Sequence, residues 1–98
     1  MMGTPIVYIL AARRNGTLYV GLSTSINRRI RQHREGVADS FTFRHGVTRL
    51  VYFERHPNLV EARHRERRLK RWRRQWKIEL IENVNPGWHD LSGQLLTG

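Results

Sequence analysis

The sequence predicts a small α/β (α+β) domain in which helices flank a three-stranded, mainly antiparallel sheet. Two short apolar runs, Ile6–Leu10 and Leu18–Leu22, are separated by a few polar residues, as in a β-hairpin. A third run, Val47–Phe53, is rich in β-branched and aromatic residues and reads as another strand. Segments with helical spacing of apolar residues follow the second and the third run. The length suits one compact domain, and a single domain over 1–98 is expected.

The first two strands lead directly into a helix. Asn15-Gly16 suits the positive φ of a tight hairpin turn, and Ser23-Thr24-Ser25 offers hydroxyls that can cap a helix. The helix should stop near Gly36. One face of it combines two isoleucines with an arginine and a histidine: Ile26, Arg29, Ile30 and His33. Polar side chains on the apolar face of a helix are unusual, so Arg29 and His33 are candidate functional residues.

The middle of the chain predicts a loop, a strand and a helix start. Gly36–His45 is polar and begins with glycine, so we expect a loop before the third strand. His56-Pro57 ends that strand. Asn58, with Glu61 three residues later, resembles a capping box and predicts that a second helix begins there.

An apolar stripe defines the second helix and includes Ala62, Leu69, Trp72, Trp76 and Leu80. The sequence has no glycine, proline or serine near Trp72–Arg74, so periodicity alone predicts one continuous helix up to Pro86-Gly87. The three tryptophans, Trp72, Trp76 and Trp88, are expected in the core or at its edges.

Positive charge is the main compositional signal. Lys and Arg number 18 against 8 Asp and Glu, which gives a formal net charge of +10. All but two of the 18 are arginines, which bind phosphate through two parallel hydrogen bonds. A polyanion, most simply nucleic acid, is the expected partner. Cysteine is absent and no apolar run could span a membrane, which favours a cytoplasmic location.

Glu66 is the only acid among the cations of residues 63–77. Its spacing from Ala62 and Leu69 places it at the edge of the apolar stripe, where a carboxylate is expected to be paired or to bind a metal. The simpler interpretation is an ion pair along the helix with Arg63 or Lys70. The spacing leaves both possibilities open.

Taken together, these residues resemble the GIY-YIG endonuclease family, and its small bacterial members most. Tyr8 and Tyr19-Val20-Gly21 correspond to the two halves of the family motif, although Ile6-Val7-Tyr8 stands in place of Gly-Ile-Tyr. Arg29 and His33 on one helix, the segment around Glu66, and Asn85-Pro86 complete the resemblance, which extends over about residues 6–91. It also implies a break in the second helix near Trp72–Arg74, in conflict with the periodicity.

The resemblance implies a divalent-metal-dependent endonuclease that hydrolyses DNA phosphodiesters, with branched or damaged DNA as candidate substrates. One Mg²⁺ or Mn²⁺ ion would be bound by Glu66. Tyr8 would be the general base, with its pKa lowered by Arg29 and the metal. Tyr19 would orient water or phosphate, and Arg29 would neutralise phosphoryl charge. His33 would relay a proton or position Tyr19, and Asn85 would support the site or contact DNA.

The basic residues are expected to hold the nucleic acid, with DNA as the first candidate and RNA left open. The predicted contact residues are Arg28, Arg63, Arg67, Lys70, Arg71, Arg73 and Arg74. A second hypothesis is a nucleic-acid-binding module that keeps the fold and cuts slowly or not at all. A third is a basic protein that docks on another protein or on ribosomal RNA.

Overall fold

The computed structural model describes residues 3–36 and 40–95. The three strands are β1 (Ile6–Ala11), β2 (Leu18–Ser23) and β3 (Arg49–Arg55). The helices within the described ranges are α1 (Ile26–Glu35), α2 (Ser40–Arg44), α3 (Leu59–Arg71), α4 (Arg74–Val84) and α5 (Ser92–Leu95). All three predicted strands are present. The first two end one residue beyond their apolar runs, and β3 is shifted, beginning and ending two residues later than Val47–Phe53.

The sheet has the order β2-β1-β3, and the central strand β1 is antiparallel to both neighbours. Every residue of β1 is buried, because helices cover both faces of the sheet. Val7 and Ile9 pack in a core beneath α3 and α4, whereas Ile6, Tyr8 and Leu10 pack in a second core with α1 and α5. The fold class predicted from the sequence is confirmed.

The turn between β1 and β2 is longer than a two-residue hairpin. The Gly16 amide donates to the Arg13 carbonyl at 2.8 Å, and the Ala12 amide donates to the Thr17 carbonyl at 3.0 Å. Asn15 adopts a positive φ of 59°, as expected for the Asn-Gly pair. The side chain of Arg74 donates to the carbonyls of Asn15 and Gly16, so the start of α4 is fastened to this turn.

Helix α1 ends as predicted but starts differently. Gly36 terminates it with a φ of 77°, a left-handed conformation that favours glycine. Ser25 stands at the N-cap, but its hydroxyl makes no capping hydrogen bond. The Ser23 hydroxyl instead accepts from the Ser25 amide at 2.9 Å, which shapes the turn that leads from β2 into the helix.

The expectation of a loop over Gly36–His45 is wrong for its second half. Ser40–Arg44 forms the short helix α2, while residues 37–39 lie outside the described ranges. This helix buries Thr42 completely and leaves Phe41 and Phe43 exposed at 43% and 55%. We expected a loop because the segment is polar. The helix is instead held against the core by a threonine, Thr42, and not by an apolar residue that its pattern would reveal.

The break between α3 and α4 lies at Trp72 and Arg73, where the resemblance places it and the periodicity does not. Both residues have extended backbone angles, with ψ near 148° and 147°. No glycine or proline causes the break. The bend turns the Trp72 ring toward the core beneath α3 and leaves Trp76 48% exposed at the edge, with its ring 6.1 Å from that of Trp72.

The start of α3 carries the predicted cap. The Asn58 side chain accepts a hydrogen bond from the Glu61 amide at 2.9 Å, and the Glu61 carboxylate accepts from the Asn58 side-chain amide. At the other end, α4 stops at Asn85, before the predicted break at Pro86-Gly87. Trp88 is fully buried beyond that break, and its indole donates to Glu82 at 2.7 Å.

A network around Glu54 fixes α3 against β3. The Glu54 carboxylate accepts hydrogen bonds from Arg65 at 2.7 Å, from Tyr52 at 2.5 Å and from the His56 ring at 3.0 Å. Burial alone would raise the pKa of Glu54, but hydrogen bonds from Arg65, Tyr52 and His56 outweigh it and hold that pKa below its ordinary value. Arg65 is therefore committed to the fold rather than to a ligand.

The lowered pKa of Glu54 predicts a pH dependence of stability. The contribution of Glu54 is present above the pKa of an unfolded glutamate and is lost as the pH falls through the lower pKa of the folded protein. In urea titrations between pH 6 and pH 3, Glu54→Gln should show a smaller acid-induced loss of unfolding free energy than wild type. Glu79→Gln, at an exposed position of α4, is the control. Equal acid sensitivity of wild type and Glu54→Gln would contradict this account.

Candidate active site

Two tyrosines and a histidine meet between the sheet and α1. The Tyr8 hydroxyl lies 3.0 Å from Nε2 of His33, and both residues are almost completely buried. The ring of Tyr19 stands edge-on to the His33 ring, with centroids 5.1 Å apart, and lies 6.4 Å from the Tyr8 ring. Three of the residues singled out in the sequence therefore form one contiguous cluster.

Gly21 gives the Tyr8 ring its path across the sheet. Tyr8 on β1 is paired with Gly21 on the edge strand β2. A Cβ atom at Gly21 would lie 2.4 Å from Cζ and 2.5 Å from the hydroxyl oxygen of Tyr8, which is far inside contact distance. The phenol thus lies directly on the bare backbone of β2. The glycine of the Tyr-Val-Gly triplet is required by packing rather than by a turn.

The ionisation of Tyr8 differs from the expectation. Burial is the largest influence and raises the pKa of Tyr8 well above its ordinary value, and the neighbouring Tyr19 adds to the increase. A hydrogen bond and charge attraction from Arg29 oppose it without overcoming it. The expected lowering by Arg29 is therefore outweighed, and Tyr8 is a neutral phenol in the protein alone.

Arg29 and Glu66 share a cleft that opens beside this cluster. The cleft has a volume of about 380 Å³ and lies between the end of β2, α1 and the first half of α3. Arg63 and Leu59 line its α3 side. A second cleft, lined by Ser23, Arg28 and Arg29, continues from it along α1. The two charged residues named for catalysis thus face one accessible space.

Glu66 has the ion pair that the simpler interpretation predicted. Its Oε2 lies 3.2 Å from Nζ of Lys70, and its side chain is 15% exposed. The Glu66 side chain also lines the cleft, where a ligand can reach it. Within the described residues, no group of three or more His, Cys, Asp and Glu side chains could hold a metal. This donor set fits Mg²⁺, which usually keeps several waters and takes one or two carboxylates.

Asn85 is placed apart from the cluster. Its side-chain amide donates to the carbonyls of Val51 and His89, each at 3.0 Å, and its oxygen accepts from the His89 amide at 3.1 Å. Asn85 is buried at 5% exposure and joins the end of α4 to β3 and to the turn that follows. In this arrangement its side chain supports the fold and does not point into the cleft.

The predicted nucleic-acid contacts divide by position. Arg28 and Arg63 line the clefts beside Arg29, whereas Arg74 is bound to the β1–β2 turn and Arg73 stacks on the Trp76 ring at 5.4 Å. The remaining members are exposed along α3: Arg67, Lys70 and Arg71. Sequence reasoning missed Arg31 and Arg55, which line a further cleft together with Arg28.

Sequence reasoning also missed the second partner of His33. Nδ1 of His33 lies 2.9 Å from the hydroxyl oxygen of Thr42 on α2, and this contact is buried. The alternation Phe41-Thr42-Phe43 was the available signal, because a helix that turns a threonine inward between two phenylalanines must have a polar partner for it. The expected loop concealed that signal.

The sequence pattern of the GIY-YIG catalytic domain matches residues 4–79. The chain belongs to the GIY-YIG family. This family consists of nucleases, and the match includes both tyrosines, Arg29, His33 and Glu66 but ends before Asn85. The family resemblance inferred from the sequence is confirmed.

The chain is similar to several UPF0213 proteins. It is 36% identical to one from Clostridium perfringens over 77 aligned residues, and this alignment covers 79% of this chain and 82% of that protein. It is 33% identical to one from Staphylococcus aureus over 81 aligned residues, which cover 83% of this chain and 98% of that protein. The solution NMR structure of a UPF0213 protein from Bacillus halodurans has 30% identity and a TM-score of 0.56, and covers 89% of this chain and 92% of that one.

In the part of the chain that the structure describes, every helix is too short or too polar to cross a membrane.

The contact between Tyr8 and Gly21 predicts a strong coupling between these two positions. Gly21→Ala should lower the unfolding free energy by about 1–3 kcal/mol, because the added methyl group collides with the phenol. In the double variant with Tyr8→Ala, the same methyl group should cost much less, since the ring is gone. Urea denaturation of the four proteins measures this cycle.

Gly93→Ala is the control for the effect of an added methyl group, because a Cβ there meets no atom within 4 Å. If Gly21→Ala were no more destabilising than Gly93→Ala, the close packing of Tyr8 on β2 would be wrong.

Proposed function

We propose that this protein is a divalent-metal-dependent endonuclease that hydrolyses phosphodiester bonds of DNA. The observation that carries the proposal is the hydrogen bond between Tyr8 and His33, close to Arg29 and Glu66, which share one cleft and both act on the pKa of Tyr8. A buried Tyr–His pair beside a guanidinium and a carboxylate supplies a proton pathway, a phosphate-binding cation and a ligand for a hard metal ion. The match to a family of nucleases supports the same conclusion.

Tyr8 and His33 would together activate the attacking water. A neutral phenol cannot take a proton unless it gives one up, so Tyr8 acts through its partner. As Tyr8 accepts a proton from the water, its own hydroxyl proton passes to Nε2 of His33, 3.0 Å away. The water oxygen then bonds to phosphorus, the bond to the leaving sugar oxygen breaks, and that oxygen takes a proton from solvent.

Arg29 and Tyr19 would act on the phosphate and on the proton pathway. Arg29 lies between two connected clefts and near the Tyr8 hydroxyl, so its guanidinium can bind the non-bridging oxygens of the phosphate under attack. Tyr19 packs edge-on against the His33 ring and limits its rotation. This contact assigns to Tyr19 a role in holding the imidazole, in addition to the orientation of water or phosphate.

Glu66 would hold the metal, Mg²⁺ or Mn²⁺, through the carboxylate that faces the cleft. The ion, when bound, supplies Lewis-acid stabilisation of charge on the phosphate. Lys70 would leave Glu66 at that point, because a cation replaces its ammonium group. A single carboxylate cannot bind Mg²⁺ tightly by itself, so substrate phosphate is expected to contribute to metal affinity.

The DNA strand would start at Arg63, pass Arg29 and Arg28 and continue to Arg31 and Arg55, which line neighbouring clefts with lining residues in common. Phosphates of one strand would bind to these arginines in succession. Branched or damaged DNA is the candidate substrate, and RNA is the alternative polyanion. Arg67, Arg71 and Arg73 would contact the neighbouring backbone.

The ion pair between Lys70 and Glu66 favours a second candidate function, a nucleic-acid-binding module with little or no cleavage activity. In such a protein the carboxylate would only neutralise a neighbouring cation. If the protein is a nuclease, removal of Glu66 should abolish cleavage. If it is a binding module, removal of Glu66 has no cleavage activity to change, so one set of variants separates the two functions.

The nuclease proposal predicts metal-dependent nicking of supercoiled plasmid and of a branched oligonucleotide duplex. Wild type should cut with Mg²⁺ or Mn²⁺ and not with EDTA. Tyr8→Phe and Glu66→Gln should each cut at least about 10²-fold more slowly, because one loses the proton pathway and the other the metal ligand. Glu79→Gln, an exposed carboxylate on α4, should cut like wild type. Equal DNA binding by all four proteins, with cleavage by none, would establish the binding module instead.

The proposed strand path predicts a change in the salt dependence of DNA binding. Arg28→Gln should weaken binding for all sequences alike, and the slope of log affinity against log salt should decrease by about one unit, since one phosphate contact is lost. Arg44→Gln, an exposed arginine on α2 outside the path, should leave the slope unchanged. Fluorescence anisotropy at several salt concentrations measures both slopes. If Arg44→Gln decreased the slope and Arg28→Gln left it unchanged, the DNA would bind on the side of α2 instead of along the clefts.

A further inference from the structure

The proton pathway that begins at Tyr8 continues beyond His33. Nε2 of the imidazole lies 3.0 Å from the Tyr8 hydroxyl, and Nδ1 lies 2.9 Å from the Thr42 hydroxyl on α2. All three residues are at most 1% exposed, so each hydrogen bond forms away from bulk water. The chain of contacts joins β1, α1 and α2 through side chains alone.

We propose that Thr42 is a positioning residue of the active site, which holds His33 as the Nδ1–H tautomer and so leaves Nε2 to accept the Tyr8 proton. This proposal rests on the proposed nuclease function for its role in catalysis. The tautomer itself is a property of the folded protein without metal or DNA, and it can be measured whether or not the protein cuts DNA.

The order of donors and acceptors along the chain leads to this tautomer. The Tyr8 hydroxyl has one proton, and its hydrogen-bond partner is Nε2 of His33 at 3.0 Å. The cationic Arg29, which influences the pKa of Tyr8, has no acceptor atom and cannot take that proton. The Tyr8 proton is therefore directed at Nε2 of His33, which must be unprotonated to accept it. A neutral imidazole carries one proton, which must therefore be on Nδ1, from which it is donated to Thr42.

The packing of α2 gives independent support. In this short helix Phe41 and Phe43 are 43% and 55% exposed, whereas Thr42 between them is completely buried. Burial of apolar area would favour the opposite orientation, because each phenylalanine offers far more of it than a threonine. The buried hydrogen bond to His33 explains why Thr42 faces inward.

Thr42 restricts the His33 imidazole to one orientation and one tautomer. Without an acceptor at Nδ1, the imidazole could bind its proton on either nitrogen, and an Nε2–H tautomer would point a proton at the Tyr8 hydroxyl. In that state His33 cannot take a proton from Tyr8, and the phenol cannot take one from water. Orientation of a histidine by a partner at its second nitrogen is a general requirement of such pathways.

Two substitutions separate the hydroxyl of Thr42 from its shape. Thr42→Val keeps the branched shape and removes the hydroxyl, whereas Thr42→Ser keeps the hydroxyl and removes a methyl group. Long-range ¹H–¹⁵N NMR of the His33 ring, at a pH where the ring is neutral and without metal or DNA, reports which nitrogen is protonated. We expect Nδ1–H in wild type and in Thr42→Ser, and a mixture or Nε2–H in Thr42→Val.

Single-turnover cleavage of a labelled DNA duplex gives the second measurement. Thr42→Val should cleave about tenfold more slowly than wild type, with its DNA dissociation constant unchanged within about twofold, and Thr42→Ser should retain most of the rate. A purely structural role of Thr42 would lower the rates of the two variants alike and track their thermal stability.

Three results would overturn the proposal: an Nε2–H tautomer in wild type, an unchanged tautomer in Thr42→Val, or equal loss of rate in Thr42→Val and Thr42→Ser. The first needs no variant and holds even if Thr42→Val fails to fold. If wild type has the expected tautomer but cuts no DNA, the proposed function fails while the assignment of Thr42 as the partner that orients His33 stands.

Discussion

The passage of the Tyr8 ring across the bare backbone of Gly21 is the constraint on which the site depends. Tyr8 is on the central strand, where helices on both faces of the sheet would normally enclose it. Only because the neighbouring strand has no side chain at Gly21 can the phenol extend over β2 and reach His33. The Tyr8 hydroxyl thereby reaches the edge of the sheet, where α1 contributes the positive charge of Arg29 and α3 the negative charge of Glu66.

Burial has opposite consequences for the two ends of this site. The Tyr8–His33–Thr42 chain is enclosed, so its groups are fixed in position and the phenol is neutral. Arg29 and Glu66 lie at the rim of the core, where a phosphate and a hydrated metal ion can approach. An enclosed proton pathway next to an open charged cleft suits hydrolysis of a large polyanion, because the polymer needs to enter only at the cleft.

The sequence was sufficient for the parts of the fold that depend on local patterns. Apolar runs and β-branched residues predicted the strands, Gly36 predicted the end of α1, and Asn58 predicted the cap of α3. It failed where tertiary contacts overrule local preference. The break at Trp72 has no helix-breaking residue, and it follows from the packing of the indole and from the attachment of Arg74 to the β1–β2 turn. A polar segment became α2 because Thr42 has a buried partner.

For the site, the residue types were predictable and their physical states were not. Arg29 and His33 stood out on an apolar helix face, and Glu66 stood out among cations. The dominance of burial over Arg29 in the pKa of Tyr8 depends on how deep the ring lies, which no spacing reveals. Asn85 looked like a site residue, yet its hydrogen bonds join α4 to β3, and only the three-dimensional path of the chain after α4 shows this.

The most direct test is a crystal structure of Glu66→Gln bound to a short DNA duplex with Mg²⁺, since this variant should hold the substrate without cutting it. The account predicts a phosphate bound to Arg29 in the cleft, with a water molecule between phosphorus and the Tyr8 hydroxyl and with Tyr8 still bound to His33. A duplex seated on the outer faces of α3 and α4, with no phosphate near Arg29, would contradict it.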